Sequence, residues 1–391
     1  MKPIRIFTPD MQLLAVIGNY ESLIFTRSYH GIGPLDMRIN KHKNFTHHLQ
    51  NGNVIVVGEG KEGDHKAFEI LHREIELDEN GKASENWLIK GRQIKSVTEG
   101  RLVLPPGHTS HDNKSGNAEL VMKHYVNNHL VNPSDPNRKD PLVILAPNLN
   151  RGKHIDWQLR WPILSNELAS MSLISGLGWN VRADQAQGKW VFDVFEGRDL
   201  TQNNSEGNSP VIFSPQLRNV KSMQYVDSIL NLKNVAYVAG QGEGVDRRVI
   251  QIGTATGHAR REMFVDARDV SEEIDIEGQD PVLRPVHEVI ADLMNRGEQK
   301  LSELIQETFL EAQVLMGTKS EKVPKLIQGS AVDVRLDKVD TYLEFDGVNN
   351  YIDVAPTSGT LKFTWSIELS FYDITRDTMF MTGSLPHTIS E

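Results

Sequence analysis

A glycine-rich segment at positions 240–244 constrains the fold of this chain more than any other feature. It consists of Gly240, Gln241, Gly242, Glu243 and Gly244. The stretches on either side, Lys233–Ala239 and Arg247–Ile252, are both rich in β-branched residues and are typical of strands. A nucleotide-binding loop needs a helix after its glycines, because the helix N-terminus supplies the N–H groups that hold phosphate. No helical pattern follows, so the segment predicts a β-hairpin.

Short strand-like runs also fill residues 1–105. They are Gln12–Ile17, Ser22–Ser28, Leu35–Ile39, Val54–Val57, Ala67–Leu77 and Asn86–Lys90. Asp78–Lys82 contains Asn-Gly, which accepts the positive φ of a hairpin turn. Frequent short strands with such turns favour a barrel or a sandwich.

Residues 106–204 have a different pattern, which predicts an α+β insert. Asn117 is placed to cap a helix over Ala118–His129. The apolar spacing in Ile163–Ile174 predicts a second helix that ends at Gly176 and Gly178. Three strands are predicted around these helices, at Leu142–Ala146, Trp179–Ala183 and Lys189–Glu196.

Residues 205–280 return to strands, and the remainder of the chain begins with a helical pattern. The strands are predicted at Val211–Phe213, Asn219–Leu230, Asn234–Ala239, Arg247–Ile252 and Glu262–Phe264. Val286–Leu315 follows helical spacing with an interruption at Gly297, so we expect a long helix within residues 281–320. Residues 341–391 are strand-like again. The predicted class is α+β and β-rich, with two β-barrel or sandwich domains, an α+β insert, a long helix and a C-terminal β segment.

Composition excludes several classes of function. The chain has no cysteine, which removes disulfides, cysteine nucleophiles and thiolate metal sites. Its formal net charge of −10 argues against specific nucleic-acid binding. No apolar run is long enough to span a bilayer, and the N-terminus lacks a secretory signal, so folding in the host cytoplasm is expected.

Candidate catalytic and metal-binding residues are few. His108, His111 and Asp112 could offer metal ligands, but they have no obvious third partner in sequence and are predicted to be a solvated loop. The pairs His47 with His48 and His124 with His129 are interpreted as ordinary surface residues. Strand alternation would place Asp193 and Glu196 on opposite faces, which opposes a glycosidase pair. We therefore assign no catalytic residue, metal or cofactor.

Four tryptophans in the insert leave two interpretations open. They are Trp157, Trp161, Trp179 and Trp190. Such residues can stack on a sugar or a peptide, but they more often lie in a core. We therefore expect core positions for them.

Several long runs together resemble one family. They are Tyr20–Tyr29, His124–Asn128, Ser175–Trp179, Trp190–Leu200, Asn234–Arg248 and Arg260–Arg268. Over residues 1–315 the chain resembles siphovirus ReqiPepy-type gene-product-thirty-seven-like tail proteins. The resemblance implies a structural baseplate hub in the virion, at the distal end of the phage tail tube.

The resemblance also implies an assembly. Related hubs form homotrimeric rings in which two β-barrel-like domains per chain, here residues 1–105 and 205–280, match a hexameric tube. The ring would join the tube to distal tail and host-binding proteins and would let DNA pass. We then expect the Gly240–Gly244 hairpin to contact a neighbouring subunit.

The C-terminal segment resembles another fold. Tyr342–Val354 is similar to the first strands of a laminin-G or concanavalin-like jelly roll, which needs more residues than follow here. Two alternatives to the hub remain open. One is an adhesin that binds host-surface glycans through the C-terminal region. The other is the scaffold of a cell-wall hydrolase whose catalytic domain lies outside this chain.

Overall fold

The computed structural model describes residues 3–58, 65–75, 85–107, 109–200, 204–213, 217, 220–274, 282–315, 331–334, 361–364, 370–372 and 378–384. The predicted turn at Asp78–Lys82, His108, and the jelly-roll resemblance at Tyr342–Val354 lie outside the described residues.

The N-terminal part forms one seven-stranded antiparallel sheet with the order β2-β1-β5-β6-β7-β4-β3. Its strands are β1 (Ile4–Phe7), β2 (Leu13–Ile17), β3 (Ser22–Phe25), β4 (Pro34–Asn40), β5 (Val54–Val57), β6 (Ala67–Glu74) and β7 (Asn86–Gln93). The six strands predicted in this region are confirmed. β1 is a seventh strand, which the sequence analysis did not predict.

This sheet is curved, because its two edge strands are consecutive in the chain. In a flat sheet, β2 and β3 would lie about 29 Å apart at the usual strand spacing. The connecting residues 18–21 can bridge at most about 18 Å. The strands therefore bend toward a barrel, although within the described residues the hydrogen-bond ladder stays open between β2 and β3.

Strand β5 is apolar throughout because both of its faces are buried. Ile55 and Val57 point into the concave core of the sheet. Val54 and Val56 point outward and join Phe7 and Ala67 in a second core, which is shared with the insert. A strand that is covered on both sides loses polar–apolar alternation, and Val54–Val57 shows this pattern.

The insert packs two helices against two small sheets. Its elements are β8 (Asp112–Asn117), α1 (Ala118–Val126), β9 (Val143–Leu145), β10 (His154–Leu159), α2 (Leu164–Ser175), β11 (Gly178–Asp184) and β12 (Lys189–Phe195). β8 pairs with β10, and β12 lies between β11 and a parallel β9.

Both predicted helices of the insert are present. The Asn117 side chain accepts a hydrogen bond from the Leu120 N–H at 2.9 Å and caps α1. This helix ends at Val126, before the predicted His129, and continues as a wider π-turn over Asn127–Val131. Gly176 ends α2 with a φ of 74°, as the sequence predicted.

The remaining elements form several smaller sheets. They are β13 (Asp199–Leu200), β14 (Ile212–Phe213), β15 (Val220–Ser228), β16 (Val235–Ala239), β17 (Val249–Ile252), β18 (Glu262–Asp266), β19 (Glu273–Ile274), β20 (Val282–Leu283), α3 (Val286–Ser302), β21 (Glu307–Leu315), β22 (Ala331–Val334), β23 (Leu361–Thr364), β24 (Ser370–Tyr372) and β25 (Thr378–Ser384). One sheet has the order β15-β21-β25-β24, and another has the order β17-β16-β18. β22 pairs with β13, β14 and β23, and β19 pairs with β20.

The long helix predicted over Val286–Leu315 is correct only as far as Ser302. Residues Glu307–Leu315 form β21, which pairs antiparallel with β15 from Val220↔Val314 to Ser228↔Glu307. The tertiary pairing overrides the local helical pattern in this segment, because β15 supplies a complete partner for its backbone groups.

Residues 229–306 therefore connect the end of β15 to the start of β21, which are paired with each other. They contain the β17-β16-β18 sheet and α3, and we call them the helix–hairpin module. Its own apolar core contains Ala236, Val238, Val265, Val289 and Leu293.

Candidate functional site: the glycine hairpin and its contacts

The predicted hairpin at Gly240–Gly244 is confirmed. β16 and β17 are antiparallel in register from Ala236↔Ile252 to Ala239↔Val249, and β18 adds a parallel strand on the other side of β16. Gly242 and Gly244 have φ values of 104° and 57°, in the left-handed region that favours glycine. The glycines therefore turn the chain between two strands, as hairpin architecture requires.

Arg247 holds the base of the hairpin loop. Its guanidinium donates to the Gly240 carbonyl at 2.7 Å and to the Ala239 carbonyl at 2.9 Å, and it pairs with Asp266. The same group lies 5.7 Å from the ring centroid of Phe264. These contacts fix the loop from below, so its outer residues are presented on a rigid support.

Helix α3 covers the inner face of this sheet at close range. A Cβ at Gly297 would lie 2.3 Å from Ile252 Cδ1 and 2.5 Å from Val238 Cγ2. Glycine at this position lets the helix approach the strands, which explains why the apolar pattern is interrupted there while the helix continues to Ser302.

The opposite face and the tip of the hairpin are exposed. Val245 at the tip is 100% exposed, and Phe264 on β18 is 61% exposed. Val249 on β17 is also exposed, and Tyr237 between them is half-buried. Aromatic and aliphatic side chains beside arginines are the composition that protein interfaces favour.

His111 joins the insert to the helix–hairpin module, which the sequence did not show. Its Nε2 lies 3.0 Å from Asp269 Oδ2, and Arg296 Nη2 donates to the same oxygen at 2.9 Å. The hydrogen bond from His111, together with the charge of Arg296, holds the pKa of Asp269 well below its usual range despite partial burial. The prediction of a solvated loop is wrong for His111, which is buried.

Asp112 is the centre of a second buried cluster. His124 Nε2 lies 2.8 Å from Asp112 Oδ1, and His129 Nε2 lies 3.3 Å from Oδ2. The Tyr125 hydroxyl lies 2.9 Å from the Asp112 carbonyl. Burial alone would raise the pKa of Asp112, but the bonds from both histidines outweigh it and lower that pKa to about 2. The surface interpretation is therefore wrong for His129, which is buried, whereas His124 is half-buried with its ring bonded to Asp112.

Asp193 also has a structural partner. Its Oδ1 accepts a hydrogen bond from Lys123 Nζ at 3.2 Å, and the same ammonium group donates to the buried Glu119 at 2.6 Å. Glu196 follows the last residue of β12. The described contacts thus assign Asp193 to an ion-pair network within the insert.

Three of the four tryptophans lie in the core, as expected. Trp157, Trp179 and Trp190 are buried, whereas Trp161 is 54% exposed. The indole N–H of Trp179 donates to the His30 carbonyl at 2.6 Å, and that of Trp190 donates to the Pro9 carbonyl at 3.0 Å. Two of these side chains therefore bind the insert to the N-terminal sheet.

The part of the chain that the structure describes contains no group of three or more His, Asp or Glu side chains placed to hold a metal ion. Within the same residues, no helix combines the length and the apolar character that crossing a membrane requires.

Comparisons with known proteins agree with this architecture. The family model described as Siphovirus ReqiPepy6 Gp37-like protein matches residues 3–344. The chain belongs to this family. A search of curated protein sequences gave no match.

Two solved structures share the fold of this Gp37-like protein over nearly its whole length. The 43 kDa tail protein of prophage MuSo2 from Shewanella oneidensis has a TM-score of 0.53 at 13% identity, covering 98% of this chain and 99% of that chain. A tail protein from Neisseria meningitidis MC58 has a TM-score of 0.51 at 14% identity, covering 98% and 97% respectively. The family and the shared fold together indicate a structural protein of the phage tail or baseplate, and hence a component of the virion.

Proposed function

We propose that this Gp37-like protein is a baseplate hub, a homotrimeric ring that joins the tail tube to distal host-binding proteins and lets DNA pass. The observation that carries this proposal is the match to a tail-protein family over residues 3–344, together with a tail-protein fold over 98% of the chain. The proposed role is structural and requires no catalytic residue.

The internal construction of the chain supports a ring of six units. One β unit is the curved β1–β7 sheet. The second was expected within residues 205–280; β15 lies there, but its sheet is completed by β21, β25 and β24, which lie beyond residue 280. Three chains would present six β units, which is the number needed to match a sixfold tube.

The hairpin is our candidate for the contact between subunits. Its tip projects from a sheet whose outer face carries exposed apolar side chains, and both edge strands, β17 and β18, end the ladder within the described residues. Free strand edges can extend a sheet across an interface.

Removing the hairpin tip tests this contact. Deletion of Gln241–Val245, or the single change Val245→Asp, is expected to reduce the mass of the assembly in light scattering while the circular dichroism spectrum is retained. Leu149→Asp, at another exposed apolar position in the insert, is the matched control. An unchanged mass for both hairpin variants contradicts the contact.

The acidic balance of the chain suits a channel for DNA. A net charge of −10 gives little attraction for phosphates, so DNA would not be held during passage. A reconstruction of the ring in which lysine and arginine line the channel would contradict this part of the proposal.

Electron microscopy of the purified protein tests the hub as a whole. The expected particle is a threefold ring with a central channel and a mass of three chains. A monomer at all concentrations that are tested would overturn the proposed assembly.

Binding of a host-surface glycan by residues 341–391 is a separate proposal. It is supported by the jelly-roll resemblance at Tyr342–Val354, since that fold commonly binds sugars. A glycan array probed with the full chain and with a chain truncated after Val334 tests it. Binding by the full chain that the truncated chain lacks would support the proposal. Equal signals from both, or none from the full chain, would contradict it.

A further inference from the structure

The backbone enters and leaves the helix–hairpin module at one narrow place. Ser228 and Glu307 are directly paired at the end of the β15–β21 ladder, and both connections of the module leave from this pair. Beside them, Gln306 Nε2 donates to Asp227 Oδ1 at 2.6 Å. Two adjacent connections form a natural hinge, because a few backbone torsions there can reorient the whole segment.

The module does not depend on the insert for its core. Val238, Val265, Val289 and Leu293 belong to an apolar cluster made of module residues. The insert contributes to a different cluster, which it shares with the N-terminal sheet. Each body can thus keep its own packing while their relative position changes.

A charged hydrogen bond joins the two bodies. Asp269 of the module accepts a hydrogen bond from His111 of the insert. Arg296 on α3 donates to the same carboxylate oxygen from within the module and so holds Asp269 in place. Ser110 Oγ lies 2.9 Å from His111 Nδ1, so both nitrogens of the buried imidazole are engaged. The histidine is therefore held in position to meet Asp269.

Glu167 on α2 lies near charged groups of α3. Glu167 on α2 accepts a hydrogen bond from Trp157 Nε1 at 3.0 Å. Burial raises the pKa of Glu167. The hydrogen bond from Trp157 and the charges of Lys300 and Arg296 oppose that shift, and the charge of Glu303 adds to it. Charged groups of both signs at the end of α3 therefore lie near this carboxylate.

We propose that the helix–hairpin module is a hinged unit that pivots at the Ser228–Glu307 pair, and that His111, Asp269 and Arg296 form a latch that holds it against the insert. The latch sets the direction in which the Gly240–Gly244 hairpin projects, because the hairpin and Asp269 belong to the same rigid module. Opening of the latch carries the hairpin tip away from its closed position while all three apolar cores stay intact. The latch is a property of the single chain and does not require the proposed ring.

The absence of cysteine makes the hinge directly measurable. Cysteines introduced at the exposed positions Lys139 in the insert and His258 in the module accept nitroxide labels without background labelling. Pulsed electron–electron double resonance measures the distance between the two labels, one in the insert and one in the module. The labelled full-length chain is diluted with unlabelled chain, so that only distances within one chain are seen. With the latch intact we expect one dominant distance.

The variant Asp269→Asn keeps the shape of the side chain and removes its charge. We expect it to increase the fraction of a second distance about tenfold, since a hydrogen bond to a charged group has that effect on an equilibrium. Asp266→Asn is the matched control, because Asp266 pairs with Arg247 inside the module. A second pair of labels, at Lys139 and Lys153 within the insert, should be unchanged in every variant.

Two outcomes overturn the proposal. One is a distance distribution for Asp269→Asn that equals those of the wild type and of Asp266→Asn. The other is a change that accompanies loss of the module's own structure, seen as lost amide protection in β16. If Asp269→Asn does not fold, His111→Gln tests the same latch from the insert, and an unchanged distribution for that variant rejects it.

Discussion

The insert meets two neighbours in opposite ways. Against the N-terminal sheet it shares a continuous apolar core, in which Val54 and Val56 of β5 pack with Trp179 and Phe192 of the insert. Against the helix–hairpin module it makes the His111–Asp269 hydrogen bond, and Arg296 of the module holds the same carboxylate. Apolar burial joins the first pair in one core, whereas the second pair keeps separate apolar clusters and meets at a charged hydrogen bond.

Buried polar groups reinforce the first interface. Lys95 is fully buried, and its ammonium donates to the Ser28 carbonyl at 2.8 Å and to the Trp179 carbonyl at 3.2 Å. It also lies 4.4 Å from the centroid of the Trp179 ring. Burial, with the nearby charge of Lys95, lowers the pKa of His30 to about 3, so this imidazole is neutral at pH 7.

The largest effect should follow from removing Trp179. Trp179→Ala leaves a cavity at the centre of the shared core and is expected to cost about 3–5 kcal/mol of unfolding free energy. Calorimetry should show the N-terminal sheet and the insert destabilised together. Trp161→Ala, which changes an exposed tryptophan of the same insert, should cost less than about 1 kcal/mol. Equal losses of unfolding free energy in the two variants would contradict the view that a shared apolar core joins the insert to the N-terminal sheet.

Replacing the buried ammonium should have the next largest effect. Lys95→Met keeps the length of the side chain but leaves the carbonyls of Ser28 and Trp179 without this donor, at a cost of about 1–3 kcal/mol. Chemical denaturation of Lys95→Met and of Lys90→Met, an exposed position on β7, provides the measurement and its control. Equal midpoints would show that this polar contact adds nothing to the shared core.

Asp112 should make the unfolding free energy of the insert fall as the pH is lowered. Its folded pKa of about 2 lies below the usual 3.8, so its stabilising contribution is complete above about pH 4 and is lost as the pH falls toward 2. The shift corresponds to about 2 kcal/mol.

Denaturation of wild type and Asp112→Asn at several pH values measures this contribution. The difference in unfolding free energy between them should shrink between pH 4 and pH 2. Asp156→Asn, an exposed carboxylate on β10, should track the wild type throughout. A difference that stays constant with pH would exclude the proposed role of the two histidines.

Gly297→Ala should have the smallest effect on the unfolding free energy, and it tests whether the helix–hairpin module is a separate unit. The added methyl group collides with Ile252 and Val238, which lowers the unfolding free energy by about 1–3 kcal/mol. The higher helix propensity of alanine offsets about 1 kcal/mol of this loss. Amide hydrogen exchange should increase in α3 and β16 and stay unchanged in the N-terminal sheet. Gly18→Ala, where a Cβ meets nothing within 4 Å, is the control. Destabilisation of the whole chain would show that the module is not a separate unit.

Local patterns predicted the strands and the two insert helices well. Alternation and turn residues placed β2 to β7, and a polar cap and a terminal glycine placed α1 and α2. The hairpin at Gly240–Gly244 followed from strands on both sides of flexible residues. Each of these signals acts over a few residues, so the sequence carries it directly.

The errors arose where a distant segment decided the outcome. The helical pattern continued past Ser302, but β15 drew Glu307–Leu315 into a sheet. His111 was interpreted as part of a solvated loop, while its partner Asp269 lies 158 residues away. The acidic partner of His124 and His129 was visible in the sequence as Asp112, but only the direction of α1 brings the three together.

The sequence by itself thus determined the local elements, the absence of thiol chemistry and, through its long characteristic runs, the tail-protein family. The tertiary structure decided which segments share a core and which meet through charges. The physical reason is that apolar burial and ion pairing join residues that are near in space and far apart along the chain. For the glycine hairpin, the sequence specified its turn, and the fold placed it on a module that the Asp269 latch can hold.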